Sequence, residues 1–143
     1  MSYLLDTNII LELRKRRRCN VGVAKWFATL EDQDIFLSVL VIGEIRKGIE
    51  SIRRRDSLAA GALDNWLSQL VITFSERIIP VDRRVAETWG RLNVPNPLPV
   101  IDGLLAATAL VKGFTLVTRN VSDIEATGVP YLNPFTDAVD VTG

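Results

Sequence analysis

The chain has no histidine. That removes the imidazole general base, the Ser-His-Asp and Cys-His nucleophile systems, and every zinc site built on imidazole ligands. Its one cysteine, Cys19, can close no internal disulfide and supplies too few ligands for a thiolate metal site. A reducing compartment is the natural setting, and Cys19 reads as incidental rather than reactive. Net charge is missing as well: 17 Lys and Arg balance 17 Asp and Glu, so there is no overall attraction to nucleic acid or membrane. No apolar run reaches the roughly 18 residues of a membrane span. An aspartate follows Tyr3-Leu4-Leu5 at once, which is unlike a signal peptide. A cytoplasmic location is expected. If the chain is a hydrolase, carboxylates plus a metal are the main chemistry left.

What is present suits one soluble domain. Hydrophobic residues make up 48% of the 143 and charged residues 24%. A single domain is expected over 1–143, with its core at about 3–135 and a loosely held tail at 136–143. Residues 3–5 form a short apolar strand, and Asp6-Thr7-Asn8 suit a turn or helix N-cap. Helices are expected over 9 to about 15, over 21–30 capped by Asn20, over 39 to about 52, and over 57–70. Strands are expected at 35–38 and 78–81. Asp82 caps a helix over 83–92, and a loop at 96–99 leads into a helix over 100–112 that Gly113 stops. A fourth strand covers 114–117 and a fifth 131–132. Strands alternating with helices imply an α/β fold of three layers, α/β/α, with a short, mostly parallel sheet of four to five strands and helices on both faces.

Four acids interrupt or end apolar runs in this pattern: Asp6, Glu44, Asp102 and Asp123. Each has an ordinary explanation. Asp6 can cap a helix, Glu44 can be a solvated helical residue, Asp102 can answer a helix dipole, and Asp123 can join a cap with Asn120 or Ser122. Asp102 carries the strongest signal, being the only charge between Arg91 and Lys112 in a helix apolar nearly all round. Ligands of parallel sheets bind beyond the carboxyl ends of the strands. Asp6 and Asp123 follow strands, and Glu44 and Asp102 lie early in helices, so one crevice can receive all four. Gathered carboxylates repel one another and call for a hard divalent cation.

The blocks Leu4-Leu5-Asp6-Thr7-Asn8, Gly43-Glu44-Ile45-Arg46-Lys47-Gly48, Ile101-Asp102-Gly103-Leu104-Leu105-Ala106-Ala107-Thr108-Ala109 and Leu116-Val117-Thr118-Arg119-Asn120, with Asp123, occur in this order. In this the chain resembles the PIN-domain ribonucleases, specifically the VapC/FitB-like toxins of bacterial toxin–antitoxin pairs, from Tyr3 to about Phe135. The resemblance implies an acidic quartet of Asp6, Glu44, Asp102 and Asp123, supported by Thr7, Asn8, Thr118 and Asn120. It implies Mg²⁺- or Mn²⁺-dependent cleavage of RNA. Asp6 and Asp102 would bind the principal ion, Glu44 a second ion or the attacking water, and Asp123 would support the site. It also implies a homodimer, a cognate antitoxin that is a small DNA-binding protein, and promoter DNA reached only through that antitoxin. The alternative is a non-catalytic or weakly catalytic module that acts only through its antitoxin complex. Other Mg²⁺-dependent phosphotransfer domains need an acidic pair at the first strand, and here only Asp6 stands there.

The run Arg14-Lys15-Arg16-Arg17-Arg18 and the triplet Arg53-Arg54-Arg55 are either solvated helix ends or a phosphate-contacting rim. Arg14, Lys15, Arg16, Arg17 and Arg46 are the residues expected to touch RNA or the antitoxin on the second reading. Trp26, Trp66 and Trp89 sit among aliphatic neighbours and are expected to pack rather than stack on bases.

Overall fold

Five apolar segments pair side by side, all parallel, in the order β3-β2-β1-β4-β5. In the computed structural model, which describes residues 1–136, they are β1 (Tyr3–Leu5), β2 (Ile35–Ser38), β3 (Ile78–Ile79), β4 (Thr115–Val117) and β5 (Tyr131–Leu132). Six α-helices join them: α1 (Thr7–Arg14), α2 (Val21–Phe27), α3 (Val39–Arg53), α4 (Ser57–Thr73), α5 (Arg83–Leu92) and α6 (Val100–Lys112).

The strand order explains the layers. The chain steps outward from β1 to β2 to β3, then crosses back to β4 on the other side of β1. Right-handed crossovers therefore put α1 to α4 on one face and α5 and α6 on the other. The packing agrees, with α3 against α4 and α1, and α5 against α6. The three-layer α/β/α arrangement expected from the sequence is the one observed. The direction of winding reverses between β1 and β4, and that reversal opens a crevice at their carboxyl ends.

Leu4, Leu5, Leu37, Leu116 and Val117 of the sheet are fully or almost fully buried against Ile9, Val41, Ile45 and Leu105 of the helices. Each such side chain contributes roughly 1.5–3 kcal/mol relative to exposure. Trp26 and Trp66 also pack against this core. Trp89 lies on Gly103, where an added Cβ would come within 3.2 Å of the indole, so α5 and α6 meet closely.

Most element boundaries match the sequence expectation, and the differences have local causes. α1 begins at Thr7 rather than residue 9, because the Asp6 carbonyl already accepts the N–H groups of Ile9 and Ile10. α2 ends at Phe27 rather than residue 30. The next turn tightens, with the Thr29 and Leu30 N–H groups donating three residues back. β3 stops at Ile79 because Pro80 has no N–H for the ladder. α4 runs on to Thr73. Asn20 and Asp82 cap α2 and α5 as expected, and Gly113 ends α6 at φ 73°. Of the expected tail, Thr136 is tied by both backbone groups to the Asn20 side chain, and residues 137–143 lie outside the described residues.

Candidate active site

The turn between β1 and α1 delivers Asp6 to the crevice. Its backbone N–H continues the ladder to the Val117 carbonyl at 2.9 Å, which locks the end of β1 to the end of β4. The residue is only 6% exposed. Oδ1 accepts the Thr7 N–H at 2.7 Å, and Oδ2 accepts the Thr118 hydroxyl at 2.6 Å and the Asn8 amide at 3.3 Å. Asp6 is therefore both the N-cap of α1 and a member of the crevice. Burial raises its pKa above the ordinary aspartate value and the Glu44 charge adds to this, while the bonds from Thr118, Thr7 and Asn8 oppose it.

The supporting residues form one network around that carboxylate. Thr118 is 1% exposed, and its oxygen also accepts the Asn120 N–H at 3.1 Å. Asn8 receives the Arg119 N–H at 3.3 Å on its carbonyl oxygen. Thr7 donates its hydroxyl to Glu44 Oε1 at 2.5 Å, which ties α1 to α3. The turns after β1 and β4 therefore hold each other in register through side chains 112 positions apart.

Asp102 lies in the first turn of α6, beside Glu44, Asp6 and Asp123. Its pKa is pushed from 3.8 to about 6, first by burial, then by the charges of Asp6, Asp123 and Glu44, and least by a side-chain hydrogen bond with Asp123. Asp123 closes the short turn Val121–Asp123 and is exposed. All four acids thus lie within electrostatic reach at the edge where β1 and β4 end. Among the described residues none of the four is in an ion pair.

The donor set fits a hard divalent cation. It is all oxygen, none of its charges has an ion-pair partner among the described residues, and Asp6 at its centre is buried. As they stand, no three acidic residues among the described ones are drawn into a group that could hold an ion. Mg²⁺ usually takes one or two carboxylates and fills the rest of its sphere with water, so a loose quartet remains compatible with it.

The basic residues divide. Arg46, grouped with the phosphate- or partner-binding residues on sequence grounds, is engaged elsewhere. Its guanidinium bonds Asp64 at 2.7 Å and Glu50 at 3.1 Å. Arg53 bonds the same two acids and so does not form a free rim. The sequence reading missed this because Asp64 comes from α4. Lys15 pairs with Glu12 at 3.0 Å. Arg14, Arg16 and Arg17 are exposed and have no ion-pair partner among the described residues. Glu12 was also missed. It is nearly buried and accepts the Asn20 N–H at 2.8 Å; burial works against its ionised form, but Lys15 and the Asn20 N–H hold its pKa below the ordinary range. An acid inside Ile9-Ile10-Leu11-Glu12-Leu13 was the available signal. Cys19 is half-buried, with its thiol pKa raised by burial and by Glu12, consistent with an unreactive role.

The chain is similar to several known proteins. The Plasmid stability protein StbB of Pseudomonas syringae pv. tomato is 31% identical over 140 residues, covering 92% of this chain and 97% of its own. Toxin FitB of Neisseria gonorrhoeae is 30% identical, covering 94% and 99%. VapC ribonuclease Y4jK of Sinorhizobium fredii is 27% identical, covering 94% and 99%. Among solved structures, FitAcB from Neisseria gonorrhoeae superposes with a TM-score of 0.84 at 30% identity, over 92% of this chain and 97% of that one. FitAB bound to the IR36 DNA fragment gives 0.82 at 28% identity, over 94% and 96%. No helix among the described residues is long and apolar enough to cross a membrane. Residues 3–127 match the PIN domain, and the chain belongs to that family.

Proposed function

We propose that this protein is a divalent-metal-dependent endoribonuclease and the toxin of a toxin–antitoxin pair. The observation that carries the reading is Asp102. It stands in an apolar helix, beside three other carboxylates and with no ion-pair partner among the described residues, and its pKa is pushed to about 6. A fold tolerates that cost where the charges have a use, and perturbed acids in a crevice mark functional sites.

Asp6 and Asp102 would hold the principal ion, Mg²⁺ or Mn²⁺. When bound, such an ion lowers the pKa of water and neutralises charge developing on phosphate. The chain's own contribution is positional. Thr118, Thr7 and Asn8 fix both oxygens of Asp6. Thr7 orients Glu44, which is left to hold a second ion or align the attacking water. Asp123, exposed at the rim, supports the site and hydrogen-bonds with Asp102.

The FitB and VapC names of the relatives, and the DNA in the FitAB structure, support the partner reading. The expected partner is a cognate antitoxin that binds promoter DNA itself and brings this chain to it. The reading assigns the protein to the cytoplasm, where its RNA would lie, and includes a homodimer, which analytical ultracentrifugation would test.

The test is cleavage of single-stranded RNA in Mn²⁺ or Mg²⁺. Activity abolished by EDTA, and lost in Asp6→Asn and Asp102→Asn with the fold retained, supports the reading. Cleavage that survives either change refutes the site. An inert protein that still forms a DNA-bound complex with its partner would favour the non-catalytic module.

A further inference from the structure

Between α1 and α3 a groove of about 400 Å³ leads away from the carboxylates. Thr7 and Glu44, joined by their 2.5 Å hydrogen bond, form its inner end. Arg14, Arg18 and Trp66 line the outer end. At about 1.5 Å per residue, Thr7 and Arg14 stand about 10 Å apart along the axis of α1. The groove therefore spans the distance from the reaction centre to a neighbouring unit of a bound polymer.

Two independent features set this groove apart. The first is Gly48, which lines it from the middle of α3. Glycine is among the poorest helix formers. Here its φ is not positive, and an added Cβ would meet nothing within 4 Å. Neither conformation nor packing requires glycine, and the effect of the missing side chain is open space in the groove. The second is the wall. The Arg14 guanidinium lies 5.3 Å from the centre of the Trp66 ring. Arg14 and Arg18 are exposed, and among the described residues neither meets a carboxylate. The floor is aliphatic, including exposed Leu11.

We infer that the groove is a nucleotide subsite, taking an unpaired base of the single-stranded RNA beside the phosphodiester to be cut. The base lies against Trp66 and the aliphatic floor, and its phosphates face Arg14 and Arg18. This rests on the RNA-cleaving reading above and adds where the strand runs. Single-stranded nucleic acid is bound by pairing an aromatic or apolar platform with cations that follow the backbone, and the groove supplies both. An acidic peptide would also satisfy the arginines. Continuity with the carboxylate end favours the strand on which those carboxylates act.

The experiment measures binding of a fluorescent single-stranded oligoribonucleotide to metal-free protein in EDTA, so that cleavage does not enter. Gly48→Leu fills the groove from a position with free space around it, and Arg14→Gln removes an exposed charge that has no carboxylate partner among the described residues. Each is expected to weaken binding at least about tenfold, and Gly48→Leu to do so with a Tm no lower than that of the parent. A 5-iodouridine strand should crosslink to Trp66. Unchanged RNA affinity in both variants overturns the subsite, as does a Gly48→Leu variant that loses only an acidic partner peptide. The two readings separate cleanly. Parent protein that cuts RNA in Mn²⁺ while Gly48→Leu binds undiminished sinks the subsite alone. Parent protein that binds through the groove but never cuts sinks the nuclease and keeps the subsite.

Discussion

Replacing Asp102 with asparagine should stabilise the metal-free protein, the reverse of the usual effect of altering a half-buried polar residue. The unfolded carboxyl ionises near 3.8 and the folded one near about 6. Between those values the folded state binds more protons, so wild-type stability falls as pH rises through the window and stays lowered above it. At full strength the displacement corresponds to about 3 kcal/mol. Solvent reaches this carboxylate, which reduces the effect to roughly 1–2 kcal/mol. Losing a negative charge near a helix N-terminus gives back about 0.3–1 kcal/mol. The net gain for Asp102→Asn is then about 1 kcal/mol, or roughly 3–6 °C in Tm. Thermal melts in EDTA should show the variant ahead at about pH 7.5 and level with wild type near about pH 4. Excess Mn²⁺ should reverse the order, since ligand at a hundredfold its Kd adds about 2.7 kcal/mol to a protein that binds it. A variant less stable in EDTA at neutral pH, a pH-independent difference, or an equal Mn²⁺ gain in both proteins would refute the reasoning.

Thr118→Val removes the hydroxyl bonded to buried Asp6 Oδ2 and should cost about 1–3 kcal/mol at neutral pH, less as acid protonates Asp6; urea denaturation across pH measures this, and a pH-independent cost would count against it. Gly22→Ala would bring a Cβ within 1.9 Å of Thr136 Oγ1 and 2.3 Å of the Pro134 carbonyl. It should therefore destabilise by about 1–3 kcal/mol and loosen residues 133–136, which hydrogen exchange at Phe135 and Thr136 would report. Charge reversal in Arg16→Glu/Arg17→Glu should flatten the salt dependence of RNA binding, by about 0.7 in the log–log slope for each phosphate that these arginines neutralise. An unchanged slope would return this run to the solvated helix ends.

Much of the architecture was readable from neighbours in the chain. Asn20, Asp82 and Gly113 act within a few residues, so caps and stops were legible. Strands alternating with helices announced a parallel sheet, and the odd charge at Asp102 pointed to the crevice. Boundaries slipped where a competing local bond decided them, as at Asp6 and Thr29.

Other features depended on which distant segments came together. Nothing near Arg46 or Arg53 foretells Asp64, which reaches them only because α4 folds back on α3. Asn20 meets Thr136, and Thr118 meets Asp6, across more than a hundred residues. The sequence by itself determined the elements and the supply of carboxylates, because capping, periodicity and turn chemistry act between close neighbours. Only the tertiary structure decided which of those charges would be neutralised by partners and which left to repel, because that depends on the strand order that seats β4 beside β1.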